Sequence, residues 1–191
     1  MKRSEEPIER LNAFIKNPLK PVEEGYSEYD EWQIFHDPEL LSIATEALYQ
    51  KIVKAKIEFD YIGALGGSGT PLAISLMLKM LNNRIIKRFF FISDPLVGVS
   101  SRWLRITKPE VKVSRPSILF VDTEIKSGRT IWDGLKKIEE EDAQLKGVAV
   151  ITDYKGFPDR EDYNDIIVKG QIPVLRLFDF YPLENKLIRV T

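Results

Sequence analysis

Short apolar runs of strand length alternate along this chain with segments of helical periodicity, and that alternation leaves few architectures open. Phe59, Tyr61 and Ile62 make the first run; Phe89-Phe90-Phe91-Ile92, Ile118-Leu119-Phe120-Val121 and Val148-Ala149-Val150-Ile151 make the next three. Val174 to Phe178 and Leu187 to Val190 make two more. Between them lie helix signals. Asp37-Pro38-Glu39 supplies a capping acceptor, a proline at the first helical position and an acid at the positive end of the dipole. Leu40, Leu41, Ala44, Ala47, Leu48 and Ile52 then share one face. Thr70-Pro71 opens a second helix, with Leu72, Ala73, Leu76, Met77 and Met80 inward, and a third from Thr130 turns Ile131, Leu135 and Ile138 to the core. Strands alternating with amphipathic helices predict an α/β fold, a parallel sheet with helices on both faces.

The remaining segments are less regular. Ile8, Leu11, Phe14 and Ile15 predict a short N-terminal helix within a mixed stretch, 1–36, and residues 23–32 read as loop or irregular strand. Alternation in Trp103-Leu104-Arg105-Ile106 and Val111-Lys112-Val113 predicts a hairpin or flap over about 93–116. Tyr154 to Gly170 is polar and turn-rich, and the acids from Glu139 to Asp142 read as a solvated surface.

Composition excludes several kinds of chemistry. At 191 residues the chain predicts one domain, 1–191, against a usual size of about 150. Lys and Arg number 28 against 29 Asp and Glu, which argues against a nucleic-acid partner. With no Cys and a single His, disulfides, thiol nucleophiles, Cys-based zinc sites and any two-His metal site are impossible. MKRSEEPIER lacks the apolar run of a signal peptide, and no apolar stretch approaches the ~20 residues of a membrane span. The expectation is a soluble, cytoplasmic protein with no membrane partner.

In open α/β sheets ligands sit beyond the carboxyl ends of the strands, and two loops there carry suggestive residues. The first is Val121-Asp122-Thr123-Glu124-Ile125-Lys126-Ser127-Gly128-Arg129-Thr130. Small residues opening a helix present backbone N–H groups to an anion. Ser127 and Thr130 add hydroxyls, Lys126 and Arg129 add charge, and Gly128 allows close approach. Asp122 can accept hydrogen bonds from sugar hydroxyls, directly or through hydrated Mg²⁺. Read alone, the same residues also make a plain βα turn with Lys126 and Arg129 solvated. The second loop, Gly63-Ala64-Leu65-Gly66-Gly67-Ser68-Gly69-Thr70, can cradle a pyrophosphate or simply pack a helix on the sheet. It is neither a Walker loop nor a G-x-G-x-x-G motif.

Together the loops resemble the type I phosphoribosyltransferases, whose pattern is roughly V-[DE]-[DE]-x-x-x-[ST]-G-x-[ST]. Val121, Asp122, Ser127, Gly128 and Thr130 match it at the same spacing. Within that family the chain looks closest to orotate phosphoribosyltransferase. HDPELLSIATEALYQKI, GGSGTPLA and VITDYKGFPDREDY each resemble a segment of it, over about residues 25–180. The resemblance implies a Rossmann-like parallel sheet with a small hood at 1–36. It also implies transfer of phosphoribosyl from phosphoribosyl pyrophosphate (PRPP) to a nucleobase, with Mg²⁺ as cofactor and a homodimer as the assembly. By it, Lys126, Ser127, Gly128, Arg129 and Thr130 hold the 5′-phosphate. Asp122 and Thr123 hold the ribose, with Asp122 also the catalytic residue, and Gly66, Gly67, Ser68 and Gly69 receive pyrophosphate.

The chain departs from the family at three points. The pattern's second acid is Thr123, and the adjacent Glu124 is one residue out of register, which in an extended segment points it to the other face. The second strand ends Ile92-Ser93-Asp94-Pro95, without the basic pair of the orotate enzymes; Arg102, Arg105, Lys108 and Lys112 lie further on, as substitutes or as solvated positions. The Ser-Gly-Arg-x-Ser-like base-binding stretch is absent, and Tyr26, Tyr29 and Trp32 in its place read as base stackers or as hood packing. Lys126 stands where some purine-specific relatives carry an acid, and His36 reads as a helix-start or surface residue. These departures keep a second reading open, a non-catalytic sensor of PRPP or a nucleotide, and a third, a structural domain with a degenerate site.

Overall fold

The computed structural model describes residues 5–16, 20–21, 27–28, 32–85, 87–92, 115–157, 159–184 and 186–190. Its centre is a six-stranded sheet of β3 (Tyr61–Leu65), β4 (Arg88–Ile92), β5 (Ser117–Ile125), β6 (Gln144–Tyr154), β7 (Val174–Tyr181) and β8 (Lys186–Arg189). The spatial order is β4-β3-β5-β6-β7-β8. The first five run parallel and β8 returns antiparallel along β7. All five residues of β3 are buried, as are nearly all of β6, the near-continuous burial expected of parallel strands covered on both faces.

Side-chain alternation sorts the strands into two cores. Leu119, Val121, Ala149 and Ile151 pack with Leu11 and Ile15 of α1 (Glu5–Lys16), with Leu48 and Ile52 of α3 (Pro38–Ala55), and with Leu72 and Leu76 of α4 (Gly66–Asn82). Ile118, Phe120, Val148 and Val150 face the other way, onto Ile131 and Ile138 of α5 (Arg129–Glu140) and onto Ile166 and Ile167. Each fully buried aliphatic or aromatic side chain contributes roughly 1.5–3 kcal/mol of transfer free energy. Asp60 sets the register at the start of the sheet. Its carboxylate accepts the Ser117 N–H at 2.8 Å and the Ser117 hydroxyl at 2.7 Å, while its own N–H donates to the Ser117 carbonyl.

The capping signal at Asp37 is realised. Oδ1 accepts the N–H groups of Glu39 (2.9 Å) and Leu40 (3.3 Å), and Arg10 of α1 pairs with both Asp37 and Glu39. Residues 23–32, expected as loop or irregular strand, contain at Ser27–Glu28 a strand (β2) paired with Lys20–Pro21 (β1). A short helix, α2 (Trp32–His36), follows, with Ile34 fully buried and His36 exposed at its end. The acids 139–142 are exposed as expected. Residues 93–114, with Arg102, Arg105, Lys108 and Lys112, lie outside the described residues, as do Tyr26, Tyr29 and the Trp32 side chain.

Three boundaries next to the candidate loops differ from the sequence reading. The first strand is Tyr61–Leu65, so Gly63-Ala64-Leu65 belong to the sheet and not to a loop. Gly63 pairs in register with Phe90 on one side and Phe120 on the other. The second helix starts at Gly66 and not at Thr70, which puts Pro71 inside it. The third strand runs to Ile125, past the expected end at Asp122, because Asp122 and Glu124 continue the ladder opposite Val150 and Thr152. Ladder pairing, rather than side-chain polarity, decides where a central strand stops. The turn-rich stretch after Tyr154 holds a short helix, α6 (Glu161–Tyr163), and a π-helical turn over Asn164–Lys169.

Candidate functional site

β3 passes into α4 with no connecting loop. Gly66, at φ +62°, turns the chain, and Gly66, Gly67, Ser68 and Gly69 form the first helical turn. This turn lies directly against the end of β5. A Cβ on Gly69 would stand 2.7 Å from the Val121 carbonyl oxygen and 3.2 Å from the Asp122 Cα. That approach brings side chains 54 and 55 residues apart into one chain of hydroxyls. Thr123 Oγ1 donates to Ser68 Oγ at 3.1 Å, and Ser68 Oγ lies 3.4 Å from Asp122 Oδ1, which also accepts the Thr123 N–H at 2.8 Å. Asp122 keeps 8% exposure and Thr123 none, so the carboxylate is held in place while the threonine is sealed behind it. The sequence-predicted pyrophosphate turn and ribose residues are therefore one contiguous patch.

The predicted phosphate residues follow at once. Lys126, Ser127 and Gly128 connect β5 to α5. Lys126 Nζ is 2.7 Å from Glu124 Oε1 and 5.3 Å from the centre of the Tyr154 ring, so its charge is already met from two sides. Ser127 Oγ accepts the Arg129 N–H at 3.2 Å at the start of the helix. Gly128 has φ +92° and no space beyond it: a Cβ would meet the Tyr163 N, Cα and Cβ at 2.6, 2.8 and 2.9 Å. The Tyr163 N–H donates to the Ser127 carbonyl at 3.1 Å. Arg129 reaches Asp133 (3.2 Å) and Asp162 (3.9 Å) but stays well exposed, and Thr130 is exposed. The glycine expected to admit a ligand is thus also the residue that lets the loop rest on Tyr163.

Sequence reasoning missed what stands behind the loop. Asp153, at the end of β6, has no exposure, yet its carboxylate takes Arg160 Nη2 at 2.8 Å and the Tyr163 hydroxyl at 3.0 Å. Lys155 pairs with the same carboxylate, and Arg176 Nε lies 3.8 Å away. The Arg160 guanidinium stacks over the Tyr163 ring at 3.7 Å, a cation–π contact. Burial, and then the negative charge of Asp153, push the Tyr163 phenol up to about 12. Several cations and a phenol around one buried carboxylate repay its desolvation. The signal was a charged residue at the end of an otherwise apolar strand; its partners lie in the turn-rich segment and on the next strand.

Among the described residues no group of three or more His, Asp or Glu side chains is placed to hold a metal ion. No described helix is long and apolar enough to cross a membrane.

The sequence matches no protein-family model and no curated protein. Solved structures do match. An adenine phosphoribosyltransferase of Thermoanaerobacter pseudethanolicus superposes with a TM-score of 0.69 at 16% identity, over 91% of this chain and 99% of its own. An orotate phosphoribosyltransferase of Francisella tularensis gives 0.64 at 18%, over 84% and 78%. The Trypanosoma brucei adenine phosphoribosyl transferase, in complex with AMP, pyrophosphate and ribose-5-phosphate, gives 0.65 at 13%, over 94% and 82%. Sheet order, helix placement and these superpositions define a Rossmann-like α/β architecture. More particularly, this is the type I phosphoribosyltransferase fold, shared here with both adenine and orotate enzymes.

Proposed function

We propose that this protein is a phosphoribosyltransferase that uses PRPP and a nucleobase, on a fold it shares with enzymes of that activity. The observation that carries the proposal is the contact of the α4 turn with the β5 tip, through Gly69, Ser68, Asp122 and Thr123. It places a carboxylate, a helix N-terminus and, three residues past the strand, a second helix N-terminus along one strand end. In the reaction a base nitrogen forms a bond to C1′ of the ribose as the bond from C1′ to the pyrophosphate oxygen breaks. Ser127, Gly128, Arg129 and Thr130 bind the 5′-phosphate through backbone N–H groups and hydroxyls. Asp122 orients the ribose and meets positive charge developing at C1′, and the turn Gly66–Gly69 faces the departing pyrophosphate with its free N–H groups. One carboxylate without a second acid fits a Mg²⁺ carried mainly by substrate oxygens and water, with Asp122 at most in its outer shell; bound there, it would offset pyrophosphate charge. The relation to orotate enzymes, and with it a pyrimidine base, rests on the segments 36–52, 66–73 and 150–163 of the sequence. A cytoplasmic homodimer completes the reading; Ile74, Leu78 and Leu81 form an exposed apolar stripe on α4 beside the edge strand β4, which supports it.

One observation favours a second reading. Thr123 is sealed and neutral, and Lys126 is bound to Glu124, so fewer charges face the substrate than catalysis of this type uses. That arrangement suits a protein that binds PRPP or a nucleotide without turning it over. The test is calorimetry with ribose 5-phosphate and PRPP, alongside pyrophosphate release over a nucleobase panel with Mg²⁺. Asp122→Ala is expected to weaken binding about tenfold or more, the value of a charge-assisted hydrogen bond. Binding without turnover selects the second reading. A full-strength isotherm for Asp122→Ala removes Asp122 from the site, and no binding of any phosphate ester overturns both readings.

A further inference from the structure

A cavity of about 1020 Å³ opens on the α3 side of the sheet, between α1, α3, the first half of β7 and the end of β8. It extends along α3 from Ser42 to Ala55, about 20 Å at the helical rise of 1.5 Å per residue. Its floor is apolar: Leu175 and Leu177 of β7, Val190 after β8, and Ile43 and Ala47 of α3. This is a gap in the helical layer, since α3 covers β7 only in part and α1 lies over β8. The candidate site is elsewhere, at the tip of β5 and the loop before α5.

The charges around the cavity are unbalanced. Lys51, Lys54, Arg176 and Arg189 line it, against Glu46 as the acid. Glu46 is taken by Lys79 at 2.5 Å and by Gln50 at 2.7 Å. Arg176 is engaged by Asp179, and Arg189 lies 3.6 Å from Glu9. Among the described residues, no carboxylate pairs with Lys51 or Lys54. The Lys51 ammonium is partly buried among these neighbours, and its pKa is held below the ordinary lysine value by burial first, then by Lys54, Arg176 and Arg189, with Asp179 opposing. An ammonium withdrawn from water beside other cations is costly until an anion reaches it.

We propose that this groove is a binding site for an amphipathic carboxylate, an acyl chain lying on Leu175 and Leu177 with its carboxylate on Lys51. Length, apolar floor and cationic wall each select part of that ligand. The length suits an extended chain, the floor excludes a sugar phosphate, and the wall selects a negative head group. The site is independent of phosphoribosyl chemistry, so its test stands whatever the strand-tip site does.

The experiment is calorimetric titration of the full chain with dodecanoate below its aggregation limit, with dodecanol as the neutral control. Saturable one-to-one binding is expected, with dodecanol and the Lys51→Glu variant each weaker by about tenfold or more, the value of a charge-assisted contact. Lys51→Gln, which removes the charge without reversing it and keeps a polar head on a shorter stem, serves if the charge reversal fails to fold, and is expected to lose binding to a similar degree. Ribose 5-phosphate is expected not to compete. Absence of saturable binding, equal affinity for dodecanol, an unchanged Lys51→Gln isotherm, or displacement by ribose 5-phosphate would each overturn the proposal. So would sedimentation showing a second copy of the chain in the groove, as a dimer that Lys51→Gln dissociates.

Discussion

Gly128 and Gly66 both have positive φ, at +92° and +62°, but only one of them is enclosed, and the pair separates backbone strain from packing. Replacing Gly66 by Ala meets nothing within 4 Å. Its cost is the left-handed conformation alone, about 1–2 kcal/mol. The same change at Gly128 carries that strain and places a methyl 2.6–2.9 Å from the Tyr163 backbone and Cβ. Carbon atoms rest at about 3.5–4.0 Å, so the loop must move by most of an ångström. That shift breaks the Tyr163 N–H bond to the Ser127 carbonyl, about 1 kcal/mol, and adds overpacking of about 1–3 kcal/mol. Gly128→Ala is therefore expected to lose about 3–6 kcal/mol against about 1–2 for Gly66→Ala. Urea unfolding of both variants measures the difference. Calorimetry with ribose 5-phosphate on the folded variants is expected to show weaker binding for Gly128→Ala, whose loop is displaced. If the two variants unfold within about 0.5 kcal/mol of each other, an ordinary surface-substitution effect, the inferred buttress behind the loop is wrong.

Two further perturbations probe the polar groups that hold the sheet ends. Tyr163 is neutral in the folded protein up to about pH 12, two units above its ordinary value of 10. Its contribution to stability is thus complete below pH 10 and falls as pH rises from 10 towards 12. Tyr163→Phe is expected to cost about 1 kcal/mol at pH 8 and to remove that part of the alkaline decline; urea midpoints falling in parallel for both proteins above pH 10 would refute it. Asp60 has its carboxyl held below the ordinary value by the Ser117 hydroxyl and then the Ser117 N–H. Its contribution is present above about pH 4 and lost as pH falls through the depressed value. Asp60→Ala is expected to cost about 2 kcal/mol at pH 7 and progressively less in acid, and a gap that stays constant down to pH 2.5 would count against it.

What the sequence disclosed was mostly local. Asp37-Pro38-Glu39 announced its helix because cap, proline and acid are neighbours whose partners lie within one turn. The apolar runs announced the strands and, through their alternation with helices, the parallel sheet. The strand ends were misjudged where residues small or polar in type were held by ladder pairing, Gly63 between two strands and Asp122 opposite Val150. The candidate loops were found individually from composition. The family resemblance joined them in one site; the contact of Ser68 with Asp122 itself depends on how α4 leaves the sheet. The cluster around Asp153 was illegible for the same reason: its partners come from the turn-rich segment after β6 and from β7, and only the strand-end acid stood out.

The short connection from β5 to α5 carries a thermodynamic consequence. Its three residues are tied at both ends to regular elements and at the middle to Tyr163. The conformational entropy of ordering them is lost once, when the chain folds, and not again when an anion arrives. Under the proposed function, a phosphate reaching Ser127–Thr130 would meet a surface already in its final shape, and its affinity would be set by desolvation and hydrogen bonding rather than by loop ordering.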